Sequence, residues 1–345
     1  MIRLSARFLG AAALIAFFVS ALQAVAQKQV PPAPASTGAQ PAPPAQEGPA
    51  TPSAPAPSAA PVFPKPDPAN FTAASPTKEV IDAFLEASWG YDSDRIWQVQ
   101  AILKTPVEGI SKVIGLVADK SSKQQQQPQT FSFFVLPDGK HIIAGDEIMS
   151  FGEHPFAPAR LELQQRADGP YRGSASKDLE LVEFADFQCP HCKAAQANMD
   201  KLVVDYPKAR IVFENLPNQA AHPEAVTAAE YGACVSKLSG SSAFFQFAAA
   251  VFDGQDGLAT PDGATLTLNA AVAKAGLDPA KVSACAATPE IKANVEASIQ
   301  LAKDLGVNEV PTLFVNGRSV LASAPYDLLK RVIDYQAKVD GVSGQ

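Results

Sequence analysis

Apolar and polar residues alternate along this 345-residue chain in patterns that change from one segment to the next. Within residues 71–149, an apolar helical face extends from Val80 to Trp89, and Ser75 is in a position to cap the helix. Four strand-like runs follow, at residues 97–103, 113–117, 131–136 and 141–144. One helix against four antiparallel strands predicts a small α+β domain with a sheet edge open to pairing.

A second pattern begins near residue 178, beyond a connector at residues 150–177 that contains a charged helical stretch. The apolar periods then follow the order strand, helix, strand, long helical stretch, hairpin and helix. Asn316-Gly317 between two apolar runs is a strong signal for the hairpin. This order predicts an α/β domain at residues 178–345, with the arrangement of the thioredoxin fold and a helical insertion at about residues 223–305.

Residues 1–26 have the pattern of an export signal peptide. Arg3 and Arg7 supply a positive start, residues 8–19 form an apolar core, and Ala24-Val25-Ala26 offers a cleavage site. An uncleaved anchor is the alternative, because the apolar stretch approaches the roughly 20 residues of a membrane helix. In both cases the folded part is exported to a compartment where disulfides persist.

Composition changes abruptly after the signal. Residues 27–70 are dominated by Pro, Ala, Ser and Gln and cannot bury a core, which predicts a disordered linker. The net charge of −7 and the pI near 5.2 disfavour nucleic acid as a partner.

The most informative chemistry lies in the run Cys189-Pro190-His191-Cys192. It follows an apolar run at residues 179–187, so the cysteines lie where a buried strand becomes a helix. Unpaired N–H groups and the positive end of the helix dipole favour thiolate over thiol there, and the neighbouring His191 acts in the same direction. The pattern predicts a redox-active disulfide between Cys189 and Cys192, with Cys189 as the nucleophile.

Two further cysteines, Cys234 and Cys285, lie in the predicted helical insertion. They lack the close Cys or His spacing that would complete a zinc site with the first pair, so we expect neither a metal nor a cofactor. In an oxidising compartment the main interpretation is a structural disulfide between them. Two free buried thiols are the alternative.

Two separated motifs of the second domain are Leu181-Val182-Glu183-Phe184-Ala185-Asp186-Phe187-Gln188-Cys189-Pro190-His191-Cys192 and Gly306-Val307-Asn308-Glu309-Val310-Pro311-Thr312-Leu313-Phe314-Val315-Asn316-Gly317. Together they resemble the DsbA-like thiol:disulfide oxidoreductases of the bacterial envelope, over about residues 178–340. The first domain carries Phe133-Phe134-Val135-Leu136-Pro137-Asp138-Gly139-Lys140 and Ile143-Ala144-Gly145-Asp146. Through these runs it more weakly resembles the dimerisation half of DsbC- and DsbG-type isomerases.

The resemblance to DsbA-like proteins implies roles for individual residues. Cys192 would be the buried resolving thiol, and Glu183 the acidic group beneath it that moves its proton. Strand alternation leaves open that Glu183 instead faces solvent. Pro311 would be cis and would set the Val310 backbone against Cys189, where a substrate is held as an extra strand.

The leading functional hypothesis is a periplasmic oxidase that introduces disulfides into exported proteins, because Pro190-His191 and the Val310-Pro311 pair resemble those of oxidases. Its substrates would be reduced or misoxidised exported proteins, and a DsbB-like or DsbD-like membrane protein would be its redox partner. The alternative is a disulfide isomerase or reductase that works as a homodimer through residues 71–149.

A third, less favoured hypothesis is a copper-binding protein that uses Cys189, His191 and Cys192 as soft ligands. The chain has three methionines and four histidines, which is few for a protein that handles copper.

Overall fold

The computed structural model describes residues 63–121 and 127–343. The predicted signal peptide, and the predicted linker up to residue 62, lie outside these residues. Residues 63–70, assigned above to the linker, lie against the first domain, where Gln100 Nε2 donates to the Pro64 carbonyl at 3.1 Å. A short 3-10 helix, Pro68–Asn70, then leads into the domain. The linker boundary expected at residue 70 is therefore too late in the chain.

The first domain begins with helix α1, Lys78–Trp89. Its N-cap is Thr77, whose hydroxyl accepts a hydrogen bond from the Val80 N–H at 3.5 Å. Ser75 and Pro76 precede this cap and are joined by a cis peptide bond. The expected capping role of Ser75 is therefore wrong, since the cap lies two residues further on.

Five strands form the first sheet: β1 (Arg95–Lys104), β2 (Ser111–Asp119), β3 (Gln129–Val135), β4 (His141–Ala144) and β5 (Glu147–Ser150). Each pairs antiparallel with the next in chain order. β5 was not predicted, and it follows β4 across a turn at Gly145, whose φ of 63° glycine adopts readily. The domain therefore extends to residue 150.

The core of the first domain lies between α1 and one face of this sheet. Its buried members are Ile81, Phe84, Leu85, Val99, Ile102, Val113, Phe131, Phe133, Val135, Ile142 and Phe151. The predicted α+β arrangement is confirmed, with five strands in place of four.

Beyond residue 150 the elements are, in chain order, α2 (Ala157–Arg166), β6 (Tyr171–Gly173), β7 (Glu180–Ala185), α3 (Pro190–Asp205), β8 (Arg210–Asn215), α4 (Ala225–Asp253), α5 (Pro261–Lys274), α6 (Pro279–Ala286), α7 (Pro289–Asp304), β9 (Thr312–Val315), β10 (Arg318–Leu321) and α8 (Tyr326–Val339). The second sheet has the strand order β10-β9-β7-β8-β6. β7 runs parallel to β8 and antiparallel to β9. This is the thioredoxin fold, and it confirms the predicted α/β class.

The second domain starts earlier than the sequence pattern indicated. β6 pairs antiparallel with β8, so residues 171–173 belong to the second sheet and not to a connector ending at residue 177. A strand of three residues is too short to show a period of its own, which explains the error.

The helical insertion between β8 and β9 consists of α4 to α7 and a 3-10 helix, Gln255–Ala259. A disulfide between Cys234 and Cys285 joins α4 to α6, with the Cα atoms 6.0 Å apart. The apolar residues of the insertion share one core with Phe187 and Phe213 at the end of the sheet. Across the described part of the chain, none of the helices has the length and apolar character needed to span a membrane.

Arg318 of β10 joins the two domains. Its side chain is buried and donates to the carbonyl oxygens of Ala87 and Ser88, at the C-terminal end of α1. Such carbonyls have no partner within their own helix. The Phe156 ring centroid lies 4.1 Å from the guanidinium carbon. The second domain therefore satisfies backbone groups of the first, which fixes the arrangement of the two.

Candidate active site

The two cysteines lie where β7 ends and α3 begins. Cys189 is the N-cap residue of α3, in an extended conformation, and Pro190 occupies the first helical position. The Cys189 carbonyl accepts the Lys193 N–H at 3.1 Å, which starts the helix. Pro190 and His191 are exposed, whereas Cys189 is 5% exposed and Cys192 is fully buried. The fold therefore presents one sulfur near the surface and covers the other.

The loop before β9 lies beside Cys189 because β9 pairs directly with β7. The Val310–Pro311 peptide bond is cis. Cys189 Sγ lies 4.0 Å from the Val310 carbonyl oxygen. The structure thus brings together the two motifs that the sequence places about 120 residues apart.

Cys192 has the environment of a thiol that keeps its proton. Its Sγ accepts the Asp186 N–H at 3.4 Å. Burial raises the pKa of Cys192 well above its usual range, and negative charge on Cys189 or Glu183 raises it further. When this sulfur is released from a disulfide it will therefore take up a proton.

Glu183 is the acidic group of the site. It lies on β7 opposite Phe213 and is 2% exposed, so the alternative of a solvent-facing Glu183 is wrong. Gln196 Nε2 donates to its Oε1 at 3.0 Å. Burial raises the pKa of Glu183 to about 7, against the opposing effects of Arg172 and of the Gln196 hydrogen bond. A carboxyl group with this pKa can release or accept a proton near neutral pH.

Sequence reasoning gave no role to Asp186, which anchors the loop between β7 and α3. Its carboxylate is buried and accepts from the N–H groups of Gln188 and Asn218, both at 2.7 Å. His222 Nδ1 lies 2.9 Å from the same carboxylate. The position of Asp186 inside the cysteine motif was the available signal, but two of its partners, Asn218 and His222, follow β8 and are distant in sequence.

A second missed contact comes from the helical insertion. Gln255 Nε2 donates to the carbonyl oxygens of Phe187 and Cys189, at 2.8 and 3.0 Å. Gln188 in turn donates to the Leu258 carbonyl at 2.9 Å. No local pattern in the sequence indicates these contacts, because they join segments about 70 residues apart.

His, Cys, Asp and Glu residues within the described ranges form no group of three or more that could hold a metal ion. Cys189, His191 and Cys192, the ligands of the copper hypothesis, therefore do not form such a group.

Residues 165–335 match a family model described as Thioredoxin. Among curated proteins, the chain is 30% identical over 147 residues to the Na(+)/H(+) antiporter NhaA 3 of Salinispora tropica, covering 43% of this chain and 21% of that protein. It is 28% identical over 174 residues to NhaA 1 of Mycolicibacterium vanbaalenii, covering 50% of this chain and 26% of that protein. The chain thus spans about a quarter or less of the length of these two relatives.

Solved structures similar to this chain include those of three bacterial proteins. The Proteus mirabilis ScsC structure in a transitional conformation is 20% identical with a TM-score of 0.43, covering 52% of this chain and 81% of that one. The thiol-disulfide exchange protein alpha-DsbA2 of Wolbachia pipientis is 21% identical with a TM-score of 0.45, covering 52% and 97%. Pseudomonas aeruginosa DsbA2 is 28% identical with a TM-score of 0.42, covering 49% and 94%.

Proposed function

We propose that this chain is a protein thiol:disulfide oxidoreductase acting through Cys189 and Cys192, on the premise that residues 165–335 match the thioredoxin family model. One observation carries the proposal. Cys189 occupies the N-cap position of α3 with its Sγ 4.0 Å from the Val310 carbonyl oxygen, and Cys192 is buried in the first turn of that helix. We assign Cys189 to exchange with the substrate and Cys192 to be its partner in the redox disulfide.

The reaction starts from the disulfide form of the pair. A substrate thiolate attacks Cys189 Sγ, the bond to Cys192 breaks, and a mixed disulfide forms between the substrate and Cys189. A second substrate thiolate then attacks the substrate sulfur, which forms the substrate disulfide and releases Cys189 as a thiolate. Two electrons pass from the substrate dithiol to the cysteine pair, and a separate oxidant must restore the disulfide.

Glu183 supplies the proton in the first step. The sulfur of Cys192 leaves as an anion in a buried site, where its raised pKa makes it a strong base. Glu183 has a pKa near 7 and is partly protonated at neutral pH, so it gives its proton to Cys192 and takes it back when the disulfide re-forms.

Substrate binding is assigned to the backbone at Val310-Pro311. The loop lies beside Cys189, and an extended peptide there would pair with the Val310 backbone as an added strand. Main-chain pairing recognises unfolded segments of many sequences, which suits proteins that are still folding.

We assign the oxidising direction to this chain. The thiolate of Cys189 is the product of oxidising a substrate, and the α3 N-terminus and the neighbouring His191 both favour that anion. Stabilising the reduced form makes the disulfide form a stronger oxidant. The substrates would be reduced or misoxidised proteins in the periplasm, and a DsbB-like or DsbD-like membrane protein would be the redox partner.

A disulfide isomerase is the second candidate, and the first domain favours it. The edges of its sheet are β1 and β5. The β1 edge is occupied at Ile102, whose carbonyl accepts the N–H groups of Thr72 and Ala73. Pairing of two β5 edges would give the homodimer through residues 71–149 that an isomerase uses to hold misoxidised substrates.

The test uses the mature chain in parallel assays of oxidation of a reduced protein and of rearrangement of a scrambled one. An oxidase gives rapid oxidation and a redox potential well above that of thioredoxin. A potential as low as that of thioredoxin would refute the oxidising direction, and activity confined to the scrambled substrate would favour the isomerase. Cell fractionation with the N-terminal sequence of the purified protein tests export and signal cleavage.

A further inference from the structure

We propose that Gln255 of the helical insertion is a positioning residue for Cys189. Its amide nitrogen donates one hydrogen bond to the Phe187 carbonyl at 2.8 Å and one to the Cys189 carbonyl at 3.0 Å. Gln255 is 7% exposed, so these bonds are shielded from water. Both hydrogens of the amide are therefore used to fix the backbone on either side of the segment that carries the nucleophile.

The element that carries Gln255 is held firmly in the core. Leu258, in the same 3-10 helix, is fully buried in the cluster that also contains Cys189. A Cβ on Gly257 would lie 2.1 Å from the Thr267 hydroxyl, so the 3-10 helix packs closely on α5. Gln188 donates back to the Leu258 carbonyl at 2.9 Å. Hydrogen bonds thus run in both directions between the insertion and the active-site segment.

The expected effect acts through the orientation of peptide groups. A carbonyl oxygen carries partial negative charge, and one that turned toward the Cys189 sulfur would destabilise a thiolate. Gln255 binds the carbonyl oxygens of Phe187 and Cys189 and so holds their peptide groups in place. The first N–H groups of α3 then keep their orientation, and their partial positive charge favours a thiolate at the N-cap position. Gln255 favours the thiolate without touching it.

This inference rests on the proposed exchange function, but its test does not require that function. In the reduced chain, the rate at which Cys189 is alkylated reports its thiolate, and buried Cys192, with its raised pKa, does not compete. Gln255→Met keeps the length of the side chain and removes both donors. We expect its alkylation rate at pH 6 to fall about tenfold, equivalent to about 1.4 kcal/mol, with the pH profile displaced upward and the redox potential lowered.

Gln300→Met is the matched control. Gln300 lies exposed on α7 of the same insertion, and its amide donates to Asp304 within its own helix at 2.8 Å. We expect this variant to keep the wild-type alkylation profile and potential. Gln255→Asn withdraws the amide by one methylene and should displace the pH profile of alkylation in the same direction as Gln255→Met. This variant provides the test if Gln255→Met does not fold.

Two results would overturn the inference. One is a Gln255 variant that melts at a lower temperature yet keeps the wild-type alkylation profile, because Gln255 would then be structural. The other is a Gln300→Met profile displaced as far as that of Gln255→Met. If the wild-type chain exchanges no disulfides at all, the proposed function fails while the alkylation comparison still decides the role of Gln255.

Discussion

Replacing Glu183 by Gln tests both the buried carboxyl and its role in the exchange. The substitution keeps the size of the side chain, and its remaining carbonyl oxygen can still accept the Gln196 hydrogen bond. It removes the titration of a group whose pKa burial raises from 4.5 to about 7. The change therefore alters how stability depends on pH as well as how a proton reaches Cys192.

The sign of the stability effect follows from the direction of the pKa change. Folding favours the protonated form of Glu183, so its contribution is fully present below pH 4.5 and is lost as the pH rises through about 7. A pKa raised from 4.5 to about 7, at about 1.36 kcal/mol per pH unit, gives a maximum loss of about 3 kcal/mol. Relative to the wild type, Glu183→Gln should gain up to about 3 kcal/mol between pH 4.5 and pH 8.

The assay is the free energy of unfolding in denaturant at several pH values, together with the rate of disulfide exchange at pH 7. Exchange should slow by about 100-fold, the lower end of what a positioned general acid contributes. Glu214→Gln is the matched control. Glu214 lies on β8 opposite Phe184, on the other face of the sheet, and burial raises its pKa to about 7 as well. It should reproduce the stability effect and leave exchange unchanged.

Two outcomes would refute this reasoning. If Glu183→Gln unfolds with the same pH dependence as the wild type, the carboxyl does not titrate in the folded protein as its burial implies. If Glu214→Gln slows exchange as much as Glu183→Gln, the loss of rate comes from disturbing the sheet and not from removing the proton donor.

Three further substitutions test the rest of the molecule. Cys189→Ser should abolish exchange, whereas Cys192→Ser should accumulate a mixed disulfide visible by mass spectrometry. Retained activity in Cys189→Ser would exclude Cys189 as the nucleophile. Converting Cys234 and Cys285 to Ser should cost about 4 kcal/mol of unfolding free energy, from a disulfide that closes 51 residues, while a loss near zero would contradict a stabilising bond. Arg318→Met should lower the free energy of unfolding by about 3 kcal/mol, because buried carbonyls lose a charged donor. It should also expose the connector to protease. Unchanged proteolysis would show that other contacts hold the two domains together.

The parts of the fold that the sequence predicted well have long periods or strong local signals. The second domain follows from a buried strand, a helix and an Asn-Gly hairpin, each readable within one window. The errors fall on short elements. β5 and β6 have four and three residues, so their strand character depends on the neighbouring strand and not on an alternating pattern. The helix cap was misplaced because Ser75 and Thr77 offer the same hydroxyl chemistry two residues apart.

The candidate site divides in the same way. The placement of Cys189 at a helix N-cap could be derived from sequence because the strand, the cysteine and the helix are contiguous. Asp186, His222 and Gln255 could not be assigned, since each acts through a partner from another element. A side-chain amide that binds a distant carbonyl leaves no periodic trace in the sequence.

The contacts between the domains bear on the choice between oxidase and isomerase. Arg318 belongs to β10, an edge strand of the second sheet, and Tyr335 of α8 donates to the Glu86 carbonyl at 2.6 Å, so two elements of the second domain bind the end of α1. The first domain therefore cannot swing relative to Cys189 without exposing a buried cation and unpaired carbonyls. In a homodimer formed through the first domain, the two Cys189 sulfurs would lie at a fixed separation. An isomerase of this kind would present both Cys189 sulfurs, at that separation, to one misoxidised substrate. In an oxidase, each Cys189 would act alone.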